Sequence, residues 1–222
     1  MCGRFTLSSE SSDLVAEFGI EPPADYRPRF NIAPTQPVLA IVAGSHGWRT
    51  ATLSWGLVPH WAKDRKDAAK RINARAESLL ERPIFRDAFL RHRCLIPATG
   101  FYEWEKAGKH SRPVLIKRDD DRPFTFAGIW SRWLERPGEP LYTCSIITTQ
   151  PNSLVARIHD RMPVILEPRD RDLWLDPASD PAALQALLVP AAAAPLHSFP
   201  VSTLVNSPNN DSPECVQPLS DG

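Results

Sequence analysis

Proline constrains this chain more than any other residue. It occupies 23 of 222 positions, against only 10 for glycine, and is spread throughout. Proline fixes φ and lacks a backbone donor, so it is excluded from helix interiors and central strand positions. A chain punctuated this often must fold as many short elements joined by rigid turns. Ser12–Gly19 reads as a short helix with an N-cap candidate and a terminal glycine. Residues 21–37 read as an extended, proline-punctuated loop, and 38–42 with 48–58 as a strand pair about Gly44–Gly47. Residues 63–71 are polar and basic, a loop or ragged helix. Helical spacing follows over 73–80 and 83–91, with Pro83 suited to a first turn. Runs at 94–98, 101–106, 114–117, 124–133 and 142–149 read as successive strands, and 162–166 as another. Helices are expected at 170–175 and 182–188, with 191–194 as a linker. The fold class is therefore α+β: a mostly antiparallel sheet, curled toward a barrel, with short flanking helices. One domain is expected over residues 1–222, with a polar tail from about 219.

The formal net charge is zero, which excludes a global field toward nucleic acid or membrane. The local distribution is uneven. Residues 60–93 hold ten basic against five acidic side chains, and residues 160–222 hold three against nine. The four cysteines, Cys2, Cys94, Cys144 and Cys215, show no CxxC or Cys/His ligand spacing, so neither a disulfide framework nor a metal site is expected. Cys94 and Cys144 lie in apolar runs and read as small core residues. No stretch is apolar for the roughly 18 residues that a membrane span needs, and the amino terminus has no signal-peptide core. A cytoplasmic, reduced chain is expected, with a free thiol at Cys2.

Position gives Cys2 its chemistry. Removal of Met1 before a small second residue would leave an α-amine and a thiol on one residue. An α-amine has a pKa of about 7.7–8.0, so part of it is neutral near pH 7. A 1,2-aminothiol adds to an aldehyde as a Schiff base, and its sulfur then closes a five-membered thiazolidine. Gly3 and Arg4 would supply backbone freedom and an anion-binding guanidinium beside it. Asn73-Ala74-Arg75-Ala76-Glu77 reads as a helix start, where free N–H groups and Arg75 would hold a phosphate, or where Asn73 simply caps the helix. Period-two alternation sets Phe101, Glu103 and Glu105 on one strand face and Tyr102 and Trp104 on the other. A carboxylate among aromatics has a raised pKa suited to proton transfer; a solvent-facing glutamate is the rival reading. His159 precedes a proline-broken strand in His159-Asp160-Arg161-Met162-Pro163, and is either catalytic or structural. Arg4, Arg29, Arg75 and Arg161 offer charge for phosphates, and Trp55, Trp61 or Trp130 offer stacking for unpaired bases.

In order along the chain, MCGRF, NIAPTQ (31–36), WGLVPHW (55–61), NARAE (73–77), GFYEW (100–104), HDRMP (159–163) and VNSPNND (205–211) resemble the SRAP family, the SOS response-associated peptidases, whose members shield abasic sites. The resemblance implies an SRAP fold with a groove for single-stranded DNA containing abasic sites, including single-strand/duplex junctions, acting as a monomer without cofactor or metal. It implies that Cys2 is the covalent residue and that Asn73 positions the reacting groups. Glu103 and His159 become the acid–base pair, and Arg4, Arg75, Arg161 and Trp61 the DNA-contacting residues. Asn31 and Pro34 fall in the loop beside the nucleophile. Two other readings stand beside it. One is a thiol hydrolase with an amino-terminal nucleophile, in which Cys2 attacks an amide. The other is a non-catalytic single-strand-binding module in which Cys2 is incidental.

Overall fold

The computed structural model describes residues 2–108, 110–134 and 138–219. In chain order the first strands are β1 (Phe5–Leu7), β2 (Arg29–Ile32), β3 (Pro37–Gly44), β4 (Gly47–Trp55), β5 (Asn73–Arg75) and β6 (Arg93–Ala98). They are followed by β7 (Gly100–Ala107), β8 (His110–Arg118), β9 (Phe124–Leu134), β10 (Pro140–Thr149), β11 (Met162–Pro163), β12 (Ile165–Leu166) and β13 (Leu196–Pro200). Helices are short: α1 (Ser11–Phe18), α2 (Pro83–Arg91), α3 (Arg171–Leu175) and α4 (Pro181–Ala186). No helix among the described residues is long and apolar enough to cross a membrane.

Two sheets carry the architecture. One is antiparallel, in the order β13-β8-β7-β1-β2. In the other, β10, β4, β3, β6 and β9 follow one another, and β9 pairs back onto β10, so five strands close into a barrel. Every neighbouring pair in that ring is antiparallel except β4 with β10, which is parallel over Ser54–Thr143 and Trp55–Cys144. The chain is thus α+β with a curled, mostly antiparallel sheet, as its strand pattern implies. Gly128 on β9 shows how tightly the barrel packs: a Cβ there would come within 2.8 Å of Cys94 Sγ.

Phe5 fastens the two sheets together. Its ring packs edge-on against Trp55 (5.2 Å) and Phe126 (5.7 Å), both from the barrel. The edge-on contacts add to the burial of a ring that is 1% exposed. Three residues after the candidate nucleophile, the chain is therefore pinned between two layers. A smaller core forms on the far side of the first sheet from Tyr102, Leu115, Val201, Val205 and Cys215, against which Phe30, Trp104 and Phe199 pack. The alternation expected on β7 is present: Phe101 faces the main core, Tyr102 and Trp104 the small one.

Several expectations are corrected. Residues 73–80 are not a helix: Asn73–Arg75 is a strand beside β10, and Ala76–Ser78 a single 3-10 turn. Hydrogen bonding to β10 outweighs the local helical spacing. The loop expected over 21–37 contains β2, because Arg29–Ile32 finds an edge on β1. The strand expected at 162–166 is two short ones, with β11 on β10 and β12 on β9. Past the linker at 191–194, β13 pairs with β8.

Candidate active site

The antiparallel register of β1 on β7 matches Phe5 with Phe101, and the Tyr102 amide donates to the Arg4 carbonyl at 3.0 Å. Cys2 is fully buried, and its carbonyl accepts a hydrogen bond from Asn73 Nδ2 at 2.9 Å. Asn73 lies on β5 opposite Ile146, so the strand that replaces the expected helix aims this side chain at Cys2. Asn73 Oδ1 is buried and accepts no hydrogen bond, which leaves an acceptor ready beside Cys2.

Electrostatics tie the remaining groups to the same spot. Burial, and secondarily the Glu103 charge, push the Cys2 thiol far up, so it stays an S–H at neutral pH. Glu103 is 3% exposed. Burial raises its carboxyl to about 7, with the charge of the chain's amino terminus pulling it down. Burial and that same amino-terminal charge lower His159, so its ring is neutral at pH 7. The Arg161 amide donates to His159 Nδ1 at 3.0 Å, which puts the neutral ring's proton on Nε2. Cys2, Glu103 and His159, separated by 157 positions in sequence, all feel one amino-terminal charge. A neutral thiol, a carboxyl that titrates near neutrality and a neutral imidazole around an amine form a set suited to carbonyl chemistry.

The whole arrangement falls inside a single match. The family model described as SOS response associated peptidase (SRAP) matches residues 1–208. The chain belongs to the SRAP family. Among its relatives is the abasic site processing protein YoqW of Bacillus subtilis, 47% identical, with 98% of this chain and 99% of the relative covered. The abasic site processing protein YedK of Escherichia coli is 32% identical over 99% of this chain and 100% of its own length. The abasic site processing protein HMCES of Gallus gallus is 36% identical, covering 89% of this chain and 68% of the relative. A solved structure from Bacteroides thetaiotaomicron superposes with a TM-score of 0.89 at 29% identity, over 99% of this chain and 100% of the other.

Within this SRAP chain the remaining candidate residues separate into two groups. Arg75 is exposed on β5, two residues from Asn73, and Trp61 is 58% exposed on the turn that precedes the basic loop. Pro34 is half-buried at the turn leading into β3. These side chains are open to a ligand. Trp55, by contrast, is wholly buried with its indole N–H on the Ile72 carbonyl, so it offers no stacking face. Trp130 stacks on His92 and leans on Tyr142 (centroids 4.5 and 6.0 Å) at the side of the barrel. Arg29 is spent on Asp211 and Gln36.

Arg4 and Asn31 turn inward. Arg4 Nη1 donates to Asn31 Oδ1 (2.8 Å) and to the Val205 carbonyl (2.6 Å), with its guanidinium over the Trp104 ring. Asn31 is fully buried, and its Nδ2 lies at 3.2, 3.0 and 2.6 Å from the carbonyls of Val205, Ser207 and Asn210. Asp211 Oδ1 in turn accepts the amides of Phe30 and Asn31. The VNSPNND segment therefore braces β1 and β2, a role that the motif alone did not disclose. Asn31→Ala is expected to destabilise the fold by about 3 kcal/mol, because it strands buried carbonyls and an arginine together. Thermal or urea unfolding measures it; a loss below about 0.5 kcal/mol would show that water replaces the amide.

Proposed function

We propose that this SRAP protein captures abasic sites in single-stranded DNA as a covalent thiazolidine on Cys2. The observation that carries the reading is the convergence on the amino terminus: Asn73 holds the Cys2 carbonyl while Cys2, Glu103 and His159 share the field of the terminal charge. The relatives' common description as abasic site processing proteins supplies the substrate.

Hydrolytic removal of Met1 moves that amine onto Cys2. An abasic deoxyribose opens from its hemiacetal to an aldehyde, and the amine nitrogen bonds to the aldehyde carbon. The carbinolamine then loses water to give an imine. Cys2 Sγ bonds to the same carbon, and the thiol proton passes to nitrogen. The net change is the loss of one water. Glu103, a carboxyl near 7, supplies and recovers the protons for ring opening and dehydration. His159 relays protons through Nε2–H, and Asn73 orients the amine. Running the same protons backward reverses the link. Intact mass of protein incubated with an abasic single strand tests this: the expected peak is the sum of the two masses less one water. A parallel incubation with peptides separates it from a thiol peptidase, which would release fragments and leave the DNA unmodified.

Arg75 is assigned to phosphate. Each phosphate contact on a single strand contributes about −0.7 to the slope of log K against log salt. Arg75→Ala is therefore expected to weaken binding and flatten that slope by about 0.7. A salt titration with unchanged slope would move the DNA path off β5.

A further inference from the structure

We infer that Glu77 is a positioning residue for His159, acting through Arg161. This rests on the proposed acid–base role of His159. Glu77 lies two residues past β5, in the 3-10 turn that follows Asn73 and Arg75. Its carboxylate takes the Arg161 fork at 2.6 and 2.9 Å, and the Arg161 hydrogen bond holds the Glu77 carboxyl below its usual range. Arg161 Nη2 also donates to the Thr148 carbonyl of β10 at 2.7 Å, and the arginine side chain is only 11% exposed. Both ends of this guanidinium are committed, and its charge is matched within the protein. It is a strut between the β5–β10 edge and the 159–161 turn.

The strut matters because of what the Arg161 backbone does. His159 Nδ1 faces two groups that ask for opposite tautomers. The Arg161 amide, at 3.0 Å, needs Nδ1 to be an acceptor, which places the proton on Nε2. Asp160 Oδ1, at 2.9 Å from the same nitrogen, favours a proton on Nδ1. The Asp160 side chain is exposed to water, whereas the Arg161 amide belongs to a residue whose side chain is anchored to Glu77 and Thr148. Glu77 thereby decides which ring nitrogen carries the proton. Asp160 and the amino-terminal amine both act on the titration of the ring.

The test uses the full chain with 15N-labelled histidine, and the His159 ring signals are assigned by their loss in His159→Gln. Wild type is expected to show the Nε2–H tautomer alone. Glu77→Ala, and Arg161→Lys, which keeps the charge but loses the fork, are expected to move both ring nitrogens toward a tautomer mixture. At saturating abasic single strand their adduct-formation rate is expected to fall about ten-fold or more, as small misplacements of catalytic groups do. The Kd of Glu77→Ala for an intact single strand should hold steady or tighten, since that variant removes a negative charge. Unchanged ring signals in both variants would overturn the inference, as would a weakened Kd with an unchanged saturating rate in Glu77→Ala, which would confine Glu77 to DNA binding. The ring signals are read without DNA, so they decide the matter even if wild type were to form no adduct, a result that would count against the proposed function alone.

Discussion

Cys2→Ala is expected to yield no adduct with abasic DNA that survives denaturation. The variant keeps an α-amine once Met1 is gone, so it still reaches the imine, and borohydride should trap it there. It lacks the sulfur that closes the ring, and an imine hydrolyses when the protein unfolds. Acetylating the mature amino terminus should abolish both products, because the first bond is made by nitrogen. The burial of the thiol, which keeps it an S–H, suits this order of events. A neutral thiol does not compete with the amine for the aldehyde, yet it can deliver sulfur and proton together to the imine. Removing one buried sulfur from a site this close to Phe5 costs a small cavity of about 1 kcal/mol, so the variant should fold, which a melting curve checks. A denaturation-resistant, unreduced adduct from Cys2→Ala would end the thiazolidine mechanism.

The second large effect concerns pH. Adduct formation needs a neutral amine, whose fraction grows as pH rises toward about 8, and a protonated Glu103, whose fraction shrinks above about 7. The rate should therefore pass through a maximum between these values. Glu103→Gln cannot donate a proton but cannot ionise either. It should be slower by about 10²- to 10⁴-fold and should lose the fall on the alkaline side. His159→Ala should slow formation and reversal by a similar factor and keep the alkaline fall, because Glu103 remains. Both should bind an intact single strand as wild type does. Rate–pH profiles for the three proteins measure this. A Glu103→Gln profile that superimposes on wild type would return Glu103 to a structural role.

The sequence suggests the candidate chemistry more readily than it discloses the scaffold around it. The short helix before Gly19 was legible because its end is local: Gly19 adopts φ 67° and its amide closes on Val15 at 2.8 Å. The long strands of the barrel were legible from their apolar runs and proline-bounded turns. β2, β5 and β13 were not, since each is a short polar or mixed segment that is a strand only because a distant edge accepts it. The same limit applies at the site. Asn73, Glu103 and His159 stand in motif-like surroundings, and their residue types suggest proton transfer or orientation. That Asn73 reaches Cys2 from a strand, or that Arg4 and Asn31 are consumed by residues 205–211, follows from contacts 71 to 201 positions apart. No periodicity reports such contacts. Glu77 was read only as part of a helix start, and its partner lies 84 positions away.

The stitching of residues 205–211 onto β1 and β2 also sets an order in time. Cys2 stands near the head of this chain, while the brace beside it comes some 200 residues later. At synthesis rates of about 5–20 residues per second, the amino-terminal segment waits on the order of 10–40 seconds before its surroundings can close. During that interval β1 and β2 lack the contacts that residues 205–211 make in the folded chain, where Cys2 is fully buried. Under the proposed function, trimming of Met1 is expected within that interval, before Glu103, His159 and Asn73 close around the aminothiol. A nascent chain would then carry the reactive pair without the groups that let it capture stray aldehydes.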